Sequence, residues 1–490
     1  MEGWEEVRAS EPRRADRFLR AFVRLILKVF FREVEVAGSD RIPLDRPLVL
    51  VANHVNGLID PLLLWGPLPN LRTPPRFLAK STLWKNPAVR PFLDLAVAIP
   101  VYRRQDEGSD LAKNDETFSR CHELLAQGGT LALFPEGTSH SDPALKPLKT
   151  GAARIVLEAE RKFPGLGARI VPVGLLFDAK QTFRSRVLVA VGEPLDPAPE
   201  IALQAQDPGA AADAAHHLTA RIDEALKEVT LNYETWEDAR LIARAADLYR
   251  HRALTLPTRG SLAEGVAFRR AFLEGYRDLR ESHPGKIAAA AEAVRDYDDL
   301  LRAAGLRDDQ VGAAYPSSPV ARFVGRSLLR LLVHLPLAAL GTLLNYPAYR
   351  LIGAIVKRFI RDPDQTATYK VFGAFLFLPL AWIAEGWLLG HYFGGSLGWR
   401  LGTVLALAAP FTGYIALLFH DRRAIFWSEA RAFLLLRTRR RLAEELKARR
   451  ETVLRQVEEL VELYEMAGGS PGIAGERLAG PGGPTKTPGG

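Results

Sequence analysis

The chain has 490 residues, room for more than one domain of the usual ~100–200 residues. Its single cysteine, Cys121, excludes a thiolate metal cluster and any internal disulfide framework, and nothing in it requires an oxidising compartment. A net charge of +8 on a chain that is 48% hydrophobic points to nucleic acid or to an anionic membrane surface, and the placement of the charges decides between them.

In chain order, the first element runs from Arg17 to Lys28. Arg17, Arg20, Arg24 and Lys28 recur at three- and four-residue spacing, with Phe18, Leu19, Phe22, Val23, Leu25, Ile26 and Leu27 interleaved. This predicts a basic amphipathic helix, which either lies in a lipid interface or covers the domain that follows. Its apolar residues are broken by charges and no small-residue cleavage site follows, so it does not read as a secretion signal.

Pro47-Leu48-Val49-Leu50-Val51-Ala52 is an apolar run of strand length, and Asn53-His54-Val55-Asn56-Gly57-Leu58-Ile59-Asp60 follows it, so His54 is expected where a strand surfaces. Thr130-Leu131-Ala132-Leu133-Phe134 repeats the device and ends in Pro135-Glu136-Gly137-Thr138-Ser139-His140. Two strand ends presenting His, Asp and Glu predict one active site. A histidine there can take a proton from an alcohol, and a nearby carboxylate can fix its tautomer. On a helix, residues six apart point about 120° away from each other, so His54 and Asp60 meet only if Asn56-Gly57 makes a turn. Asp60 also has a purely structural reading as a helix N-cap, since Pro61 follows at the favoured first position.

Other chemistries find no support. Phe118–Leu125 reads as an amphipathic helix in which Cys121 packs. The one Gly-x-Ser-x-Gly match, Gly394-Gly395-Ser396-Leu397-Gly398, lies between two long apolar runs rather than at a strand-to-helix elbow. No phosphate-binding Gly-Lys-Ser/Thr loop occurs. His216 and His217 are adjacent in an Ala-rich helix and so do not share a face. No metal site is expected.

The residues around His54 and Glu136 resemble the glycerolipid acyltransferase family, whose signature is a spaced His and Asp plus a Phe-Pro-Glu-Gly element. Five residues separate His54 from Asp60, where the family's commonest form has four; this spacing is similar to the subgroup typified by fungal glycerol-3-phosphate/dihydroxyacetone-phosphate acyltransferases. The resemblance continues in Ile99-Pro100-Val101-Tyr102-Arg103-Arg104-Gln105-Asp106, in Phe134–His140, in Pro147-Leu148-Lys149-Thr150-Gly151 and in Val171-Pro172-Val173. The blocks keep their order over residues 47 to 175.

Acyl transfer from a thioester to a hydroxyl needs a base and stabilisation of a tetrahedral oxyanion. His54 is the expected base, oriented by Asp60, with no acyl-enzyme required. Arg103 is the expected grip on the acceptor phosphate, because a planar guanidinium binds it bidentately, and Arg104 assists. Lys149 reaches a phosphate, either the acceptor's or that of coenzyme A. Glu136 would repel a phosphate, so it is expected to bond glycerol hydroxyls or to hold Arg103, with Gly137 and Thr138 offering donors beside it. Ser139 and His140 read as loop residues without a catalytic part.

After Asp196 the chain turns helical. Residues 201–231 and 235–255 are rich in Ala, Leu and Arg, interrupted at Asp207-Pro208-Gly209, and residues 261–304 continue with a break at Pro284-Gly285. Membrane candidates follow. Residues 331–349 carry no formal charge but contain Pro336 and Pro347; spans at 371–393 and 401–420, joined by a Gly-rich turn, form a hairpin near the ~20 residues a crossing needs. Lys357, Arg358, Arg361 and Lys370 flank one end and Arg422 and Arg423 the other, which places both on the cytoplasmic side. Residues 425–466 read as one long charged helix that pairs with itself, lies along the membrane or is solvated, and the Gly/Pro-rich tail reads as disordered.

The expected architecture is an α/β acyltransferase domain with a helical insert and C-terminal transmembrane helices. Its divisions are an N-terminal amphipathic region (1–37), the catalytic domain (38–200), a helical region (201–315), a membrane region (320–424), the charged helix (425–466) and the tail (467–490). The resemblance implies a membrane-bound enzyme of phospholipid biosynthesis, with the catalytic domain facing the cytoplasm. It would move a fatty acyl group from acyl-CoA or acyl carrier protein to glycerol 3-phosphate, without a further cofactor. 1-Acylglycerol 3-phosphate is the alternative acceptor, and a non-catalytic membrane scaffold is the alternative of another class. Membrane lipids, the glycerol phosphate acceptor and the acyl donor are the expected partners, nucleic acid is not, and self-association rests on the charged helix.

Overall fold

The apolar run at 48–52 becomes the centre of a sheet. The computed structural model describes residues 14–68, 71, 73–85, 89–102, 113–180, 182–253, 261–311, 317–360 and 366–468. It divides into two compact units, the first built on Met1–Asn232 and the second on Tyr233–Arg361 with Tyr369–Gly483.

The first unit runs α1 (Arg14–Phe30), β1 (Glu33–Ala37), β2 (Leu48–Ala52), α2 (Ile59–Trp65), β3 (Arg76–Lys80), α3 (Arg90–Leu95), β4 (Ile99–Val101), α4 (Lys113–Ala126), β5 (Thr130–Leu133), α5 (Gly151–Lys162), β6 (Arg169–Phe177), β7 (Arg186–Val191), α6 (Ala198–Gln206) and α7 (Ala211–Val229). The strands form one seven-stranded sheet in the order β1-β7-β6-β2-β5-β3-β4. β2 lies between β6 and β5 and is parallel to both, whereas β6 and β7 pair antiparallel. Every residue of β2 is buried, as expected for a parallel strand covered on both faces. Val49, Val51, Leu131, Ile155, Leu218 and Ile222 share the core between the sheet and α5 and α7. Ligands of open α/β sheets bind beyond the carboxyl ends of the strands, and that is where β2 delivers His54 and β5 delivers Glu136.

Two expectations about boundaries are corrected here, and one open reading is decided. Residues 33–37, assigned to the N-terminal helical region, form a strand in register with β7. Residues 201–229, assigned to a separate helical region, belong to the first unit: Ala214, Leu218, Ile222 and Leu226, at four-residue spacing, make one stripe that packs on the sheet. The approach is close enough that a Cβ on Gly174 of β6 would collide with the Val229 carbonyl, so glycine is needed there. The amphipathic helix α1 covers the domain, the second of its two readings. Leu19, Val23, Ile26, Leu27 and Phe30 are buried, Arg24 Nε donates to the Gly66 carbonyl at 2.8 Å, and Arg20 donates to the Leu68 carbonyl. Phe18 and Leu25 stay on the outward face.

The second unit runs α8 (Trp236–Arg250), α9 (Leu262–Ser282), α10 (Pro284–Ala304), α11 (Asp308–Val311), α12 (Ser317–Phe359), α13 (Thr366–Phe393), α14 (Gly395–Thr438) and α15 (Arg440–Met466). Val294, Tyr297, Leu301, Leu446, Val453 and Val457 belong to one core shared by α8, α9, α10 and α15. The charged helix expected over 425–466 is therefore two elements. α14 continues to Thr438, the chain breaks at Arg439, and α15 turns back to bury Leu446, Val453, Val457 and Val461 in its own bundle. The apolar face expected to pair with a second copy is used within the chain. Among the described residues three helices are long and apolar enough to cross a membrane, over Gly325–Phe359, Thr368–Phe393 and Gly395–Thr438. The Gly/Pro-rich tail beyond Gly468, expected to be disordered, lies outside the described residues.

Candidate active site

The turn required between His54 and Asp60 is present. Gly57 adopts φ +50°, and the Ile59 N–H donates to the Asn56 carbonyl at 3.0 Å. This brings His54 Nδ1 to 2.9 Å from Asp60 Oδ2. The same oxygen accepts the backbone N–H groups of Val55 (2.8 Å) and Asn56 (2.7 Å). A carboxylate receiving two backbone donors is an acceptor for the third, so the proton sits on Nδ1 and Nε2 carries the lone pair. Nε2 has no hydrogen-bond partner among the described residues, and the ring stacks on Phe134 at 4.1 Å between centroids. Asp60 is not the N-cap: α2 begins at Ile59 and Leu58 precedes it without a side-chain cap.

Glu136 is bonded to the chain itself. Its carboxylate is buried, with Oε1 accepting the backbone N–H of His54 at 2.7 Å and Oε2 that of Lys146 at 2.8 Å. His140, also buried, bonds Oε2 through Nε2 while its Nδ1 accepts the Asp142 N–H at 3.1 Å, which sets its tautomer. The His140 N–H then returns to the His54 carbonyl at 3.1 Å. Both carboxylate oxygens thus accept from the chain's own donors, while Arg103, the side chain that Glu136 was expected to hold, lies outside the described residues. Glu136 and His140 hold the backbone that carries the His54 imidazole.

Two further residues tie this end of the sheet together. Asn53 bonds Leu175 of β6 in both directions, at 3.1 Å to its carbonyl and 2.7 Å from its N–H. Lys180 Nζ reaches the Val55 carbonyl (3.0 Å), the His140 carbonyl (3.3 Å) and Ser141 Oγ (2.8 Å), fastening the two active-site loops to each other. Neither was singled out from the sequence. Asn53 had a signal, being polar immediately after a fully apolar strand. Lys180 had none.

Of the expected phosphate-binding cations, Lys149 is placed and exposed. A Cβ on Gly137 would lie 2.6 Å from its ammonium, so the lysine crosses directly over that glycine, whose φ is +73°. The Gly137 N–H is used in the turn, donating to Phe134 at 3.0 Å, whereas Thr138 stands exposed beside it. Arg103 and Arg104 lie outside the described residues. Among the described residues no cluster of metal-ligating side chains occurs.

Comparison with known proteins covers both units. Residues 33–176 match the acyltransferase domain family, and residues 241–466 match the glycerol-3-phosphate acyltransferase 2 C-terminal domain family. The chain is similar to glycerol-3-phosphate O-acyltransferase 1 of Saccharomyces cerevisiae, at 24% identity over 75% of this chain and 60% of that protein. It is similar to glycerol-3-phosphate O-acyltransferase 2 of the same yeast, at 27% identity over 56% of this chain and 38% of that protein. A shorter stretch, 34% of the chain, is 28% identical to 45% of the chloroplastic 1-acyl-sn-glycerol-3-phosphate acyltransferase BAT2 of Brassica napus. Among solved structures, the 1-acyl-sn-glycerophosphate acyltransferase PlsC from Thermotoga maritima aligns with a TM-score of 0.30 and 22% identity, over 43% of this chain and 80% of that one. The chain thus carries an acyltransferase domain over residues 33–176, followed over residues 241–466 by a glycerol-3-phosphate acyltransferase 2 C-terminal domain.

Proposed function

We propose that the protein transfers a fatty acyl group from a thioester, acyl-CoA or acyl carrier protein, to the hydroxyl of glycerol 3-phosphate at a membrane surface. The observation that carries this reading is the His54–Asp60 pair, 2.9 Å apart and oriented so that Nε2 is free to act as a base. His54 Nε2 takes the hydroxyl proton as the oxygen attacks the thioester carbonyl. Asp60 stabilises the imidazolium that results. The tetrahedral oxyanion collapses, the C–S bond breaks, and the proton on Nε2 passes to the departing thiolate. Lys149, with Arg103 and Arg104, supplies the positive charge for the acceptor phosphate, and the Thr138 hydroxyl lies at the same rim. The basic residues Lys357, Arg358, Arg361, Lys370, Arg422 and Arg423 that flank the apolar spans support a cytoplasmic side for the catalytic domain.

The two yeast relatives are named for glycerol 3-phosphate and match far more of this chain than the plant relative named for the lysolipid, which favours the first acceptor. The test is acyl transfer by the purified protein in detergent from labelled acyl-CoA, with a carrier-protein donor run in parallel. Each acceptor is offered separately, with His54→Ala as control. Product from glycerol 3-phosphate, reduced ~10²-fold or more in the variant, is expected. Product only from 1-acylglycerol 3-phosphate would replace the acceptor. No product from either acceptor with either donor, or a His54→Ala variant as active as the parent, would overturn the reading in favour of a scaffold.

A further inference from the structure

The chain leaves its helical bundle for the apolar helices and comes back to the same place. Arg307 pairs with Glu429 at 2.8 Å, Gln310 Nε2 donates to Ser428 Oγ at 3.0 Å, and Asp308 accepts from Arg450 Nε at 2.8 Å. Residues just before α12 are thus fastened to the end of α14 and to α15. Two ends fastened together lie on one side of a bilayer, so the segment between them crosses an even number of times. Three helices have the length and hydropathy to cross. One of them does not.

The helix contacts identify which. Asn345 of α12 donates to the Ala409 carbonyl of α14 at 3.2 Å and accepts Trp382 Nε1 of α13 at 2.9 Å, so residues 345, 382 and 409 share one depth. From there α14 runs back through Glu429 to the fastened end, and the first arm of α12 comes from that end too. The second arm of α12 meets the beginning of α13: a Cβ on Gly373 would lie 2.9 Å from Ile352 Cγ2. α13 and α14 in turn approach closely near their connection, at Gly386 and Gly402. Both ends of α12 therefore lie on the same side of Asn345, and that is the side of the bundle. Three straight crossings would instead deliver residue 429 to the face opposite residue 307.

Charge and composition agree. α12 carries exposed cations at both ends, Arg326 and Arg330 at one and Arg350, Lys357 and Arg358 at the other. A crossing helix would strand one of these groups on the far side, against the positive-inside tendency. The α13–α14 connection has only Arg400 near it, with Lys370 and Arg422 and Arg423 at the opposite ends. Pro336 and Pro347 lie inside α12, and proline is the usual cause of a sharp helix bend.

We propose that α12 is re-entrant: it dips into the leaflet nearest the helical bundle as far as Asn345 and returns, while α13 and α14 alone cross as a hairpin. Its partner is the anionic headgroup layer of that leaflet, gripped by cations at both of its ends. This goes beyond the acyltransferase reading and does not depend on the chemistry at His54.

The test uses a thiol-specific, membrane-impermeant maleimide on intact cells expressing the full chain. The parent is its own blank, because Cys121 is fully buried and burial pushes its thiol up to about 12. Ser327→Cys and Phe359→Cys mark the two ends of α12, and Ser396→Cys marks the hairpin tip; each variant is first checked for parental thermal unfolding in detergent. Labelling of Ser396→Cys from outside, with the other two labelled only after permeabilisation, is expected. External labelling of Phe359→Cys with Ser327→Cys protected would show a crossing α12 and overturn the proposal. Labelling of all three from one side would overturn it as well, because the hairpin would then not cross. Labelling of both α12 ends from outside with Ser396→Cys protected would uphold the re-entrant helix and overturn instead the cytoplasmic orientation proposed above.

Discussion

Glu136 Oε1 accepts the backbone N–H of His54 at 2.7 Å, so His54 is held through its main chain by a side chain from the loop that follows the neighbouring strand β5. The hold is reciprocal, since His140, bonded to the same carboxylate, donates its own N–H to the His54 carbonyl at 3.1 Å. Replacing Glu136 by Ala leaves buried donors without partners, at a cost of about 1–3 kcal/mol each, and lets the His54 loop move. The expected result for Glu136→Ala is a lower melting temperature together with a ~10²-fold fall in kcat, the scale of a 1 Å misplacement. The KM for glycerol 3-phosphate should move little. A large rise in that KM with kcat preserved would return Glu136 to the substrate.

Asp60→Asn isolates orientation from packing. The amide oxygen can still accept from Val55 and Asn56, so the turn and the melting temperature should be kept. The carboxylate's charge on the imidazolium is lost, and with it ~10²–10⁴ in kcat. Steady-state rates beside a thermal melt check both halves of this expectation.

Two lysines near the site are expected to behave differently. Lys180 fastens the carbonyls of Val55 and His140, so Lys180→Met should lower kcat and stability with KM for the acceptor unchanged. Lys149 lies exposed over Gly137, so Lys149→Met should raise the KM for glycerol 3-phosphate and leave the melting temperature alone. Initial-rate kinetics over a range of acceptor concentrations separate the two. Equal effects on both parameters in both variants would remove the distinction.

Acid should act on the helical bundle through Asp308. Burial opposes its charge, but the nearby His251, Arg450 and the Tyr297 hydroxyl outweigh that and hold its carboxyl below the usual carboxylate range. A depressed carboxylate contributes stability that is complete above its unfolded value and lost as the pH falls through the folded one. Removing the partner in Arg450→Met leaves a buried charge, and a loss of about 3–5 kcal/mol at neutral pH is expected. In that variant only His251 and the Tyr297 hydroxyl are left to oppose burial, so mild acid should restore part of the loss. Unfolding followed by circular dichroism at neutral and mildly acidic pH reads this directly.

Local features were legible in the sequence where a residue type has few reasons to be present. The apolar run 48–52, the Asn56-Gly57 turn and the His54–Asp60 pair were all readable, because buried strands, glycine turns and a polar pair at a strand end each leave a distinct pattern. Glu136 was found, but its partners within the chain were not. Its donors, His54, His140 and Lys146, meet only once the loop after β5 has folded back, and their spacing in the chain does not announce it. Lys180 was invisible because a lysine whose ammonium is surrounded by carbonyls looks, in sequence, like any surface lysine. The helices α7 and α8 also read alike, both rich in Ala, Leu and Arg, yet α7 covers the sheet and α8 belongs to the bundle. What separates them is the surface each stripe meets, and that is a property of the assembled fold.

The sheet also imposes an order in time. β1 pairs along its whole length with β7, and the carbonyls of Lys28 and Phe31 accept from Arg184, so the beginning of the first unit is completed by strands made about 150 residues later. At the usual ~5–20 residues per second of synthesis, roughly 8–30 s pass during which β1 has no neighbour in the sheet. The central strands can pair during that interval, since β2, β3 and β5 all precede β7. The sheet is therefore paired from its centre outward, and its β1 edge is closed before α7 is laid over it.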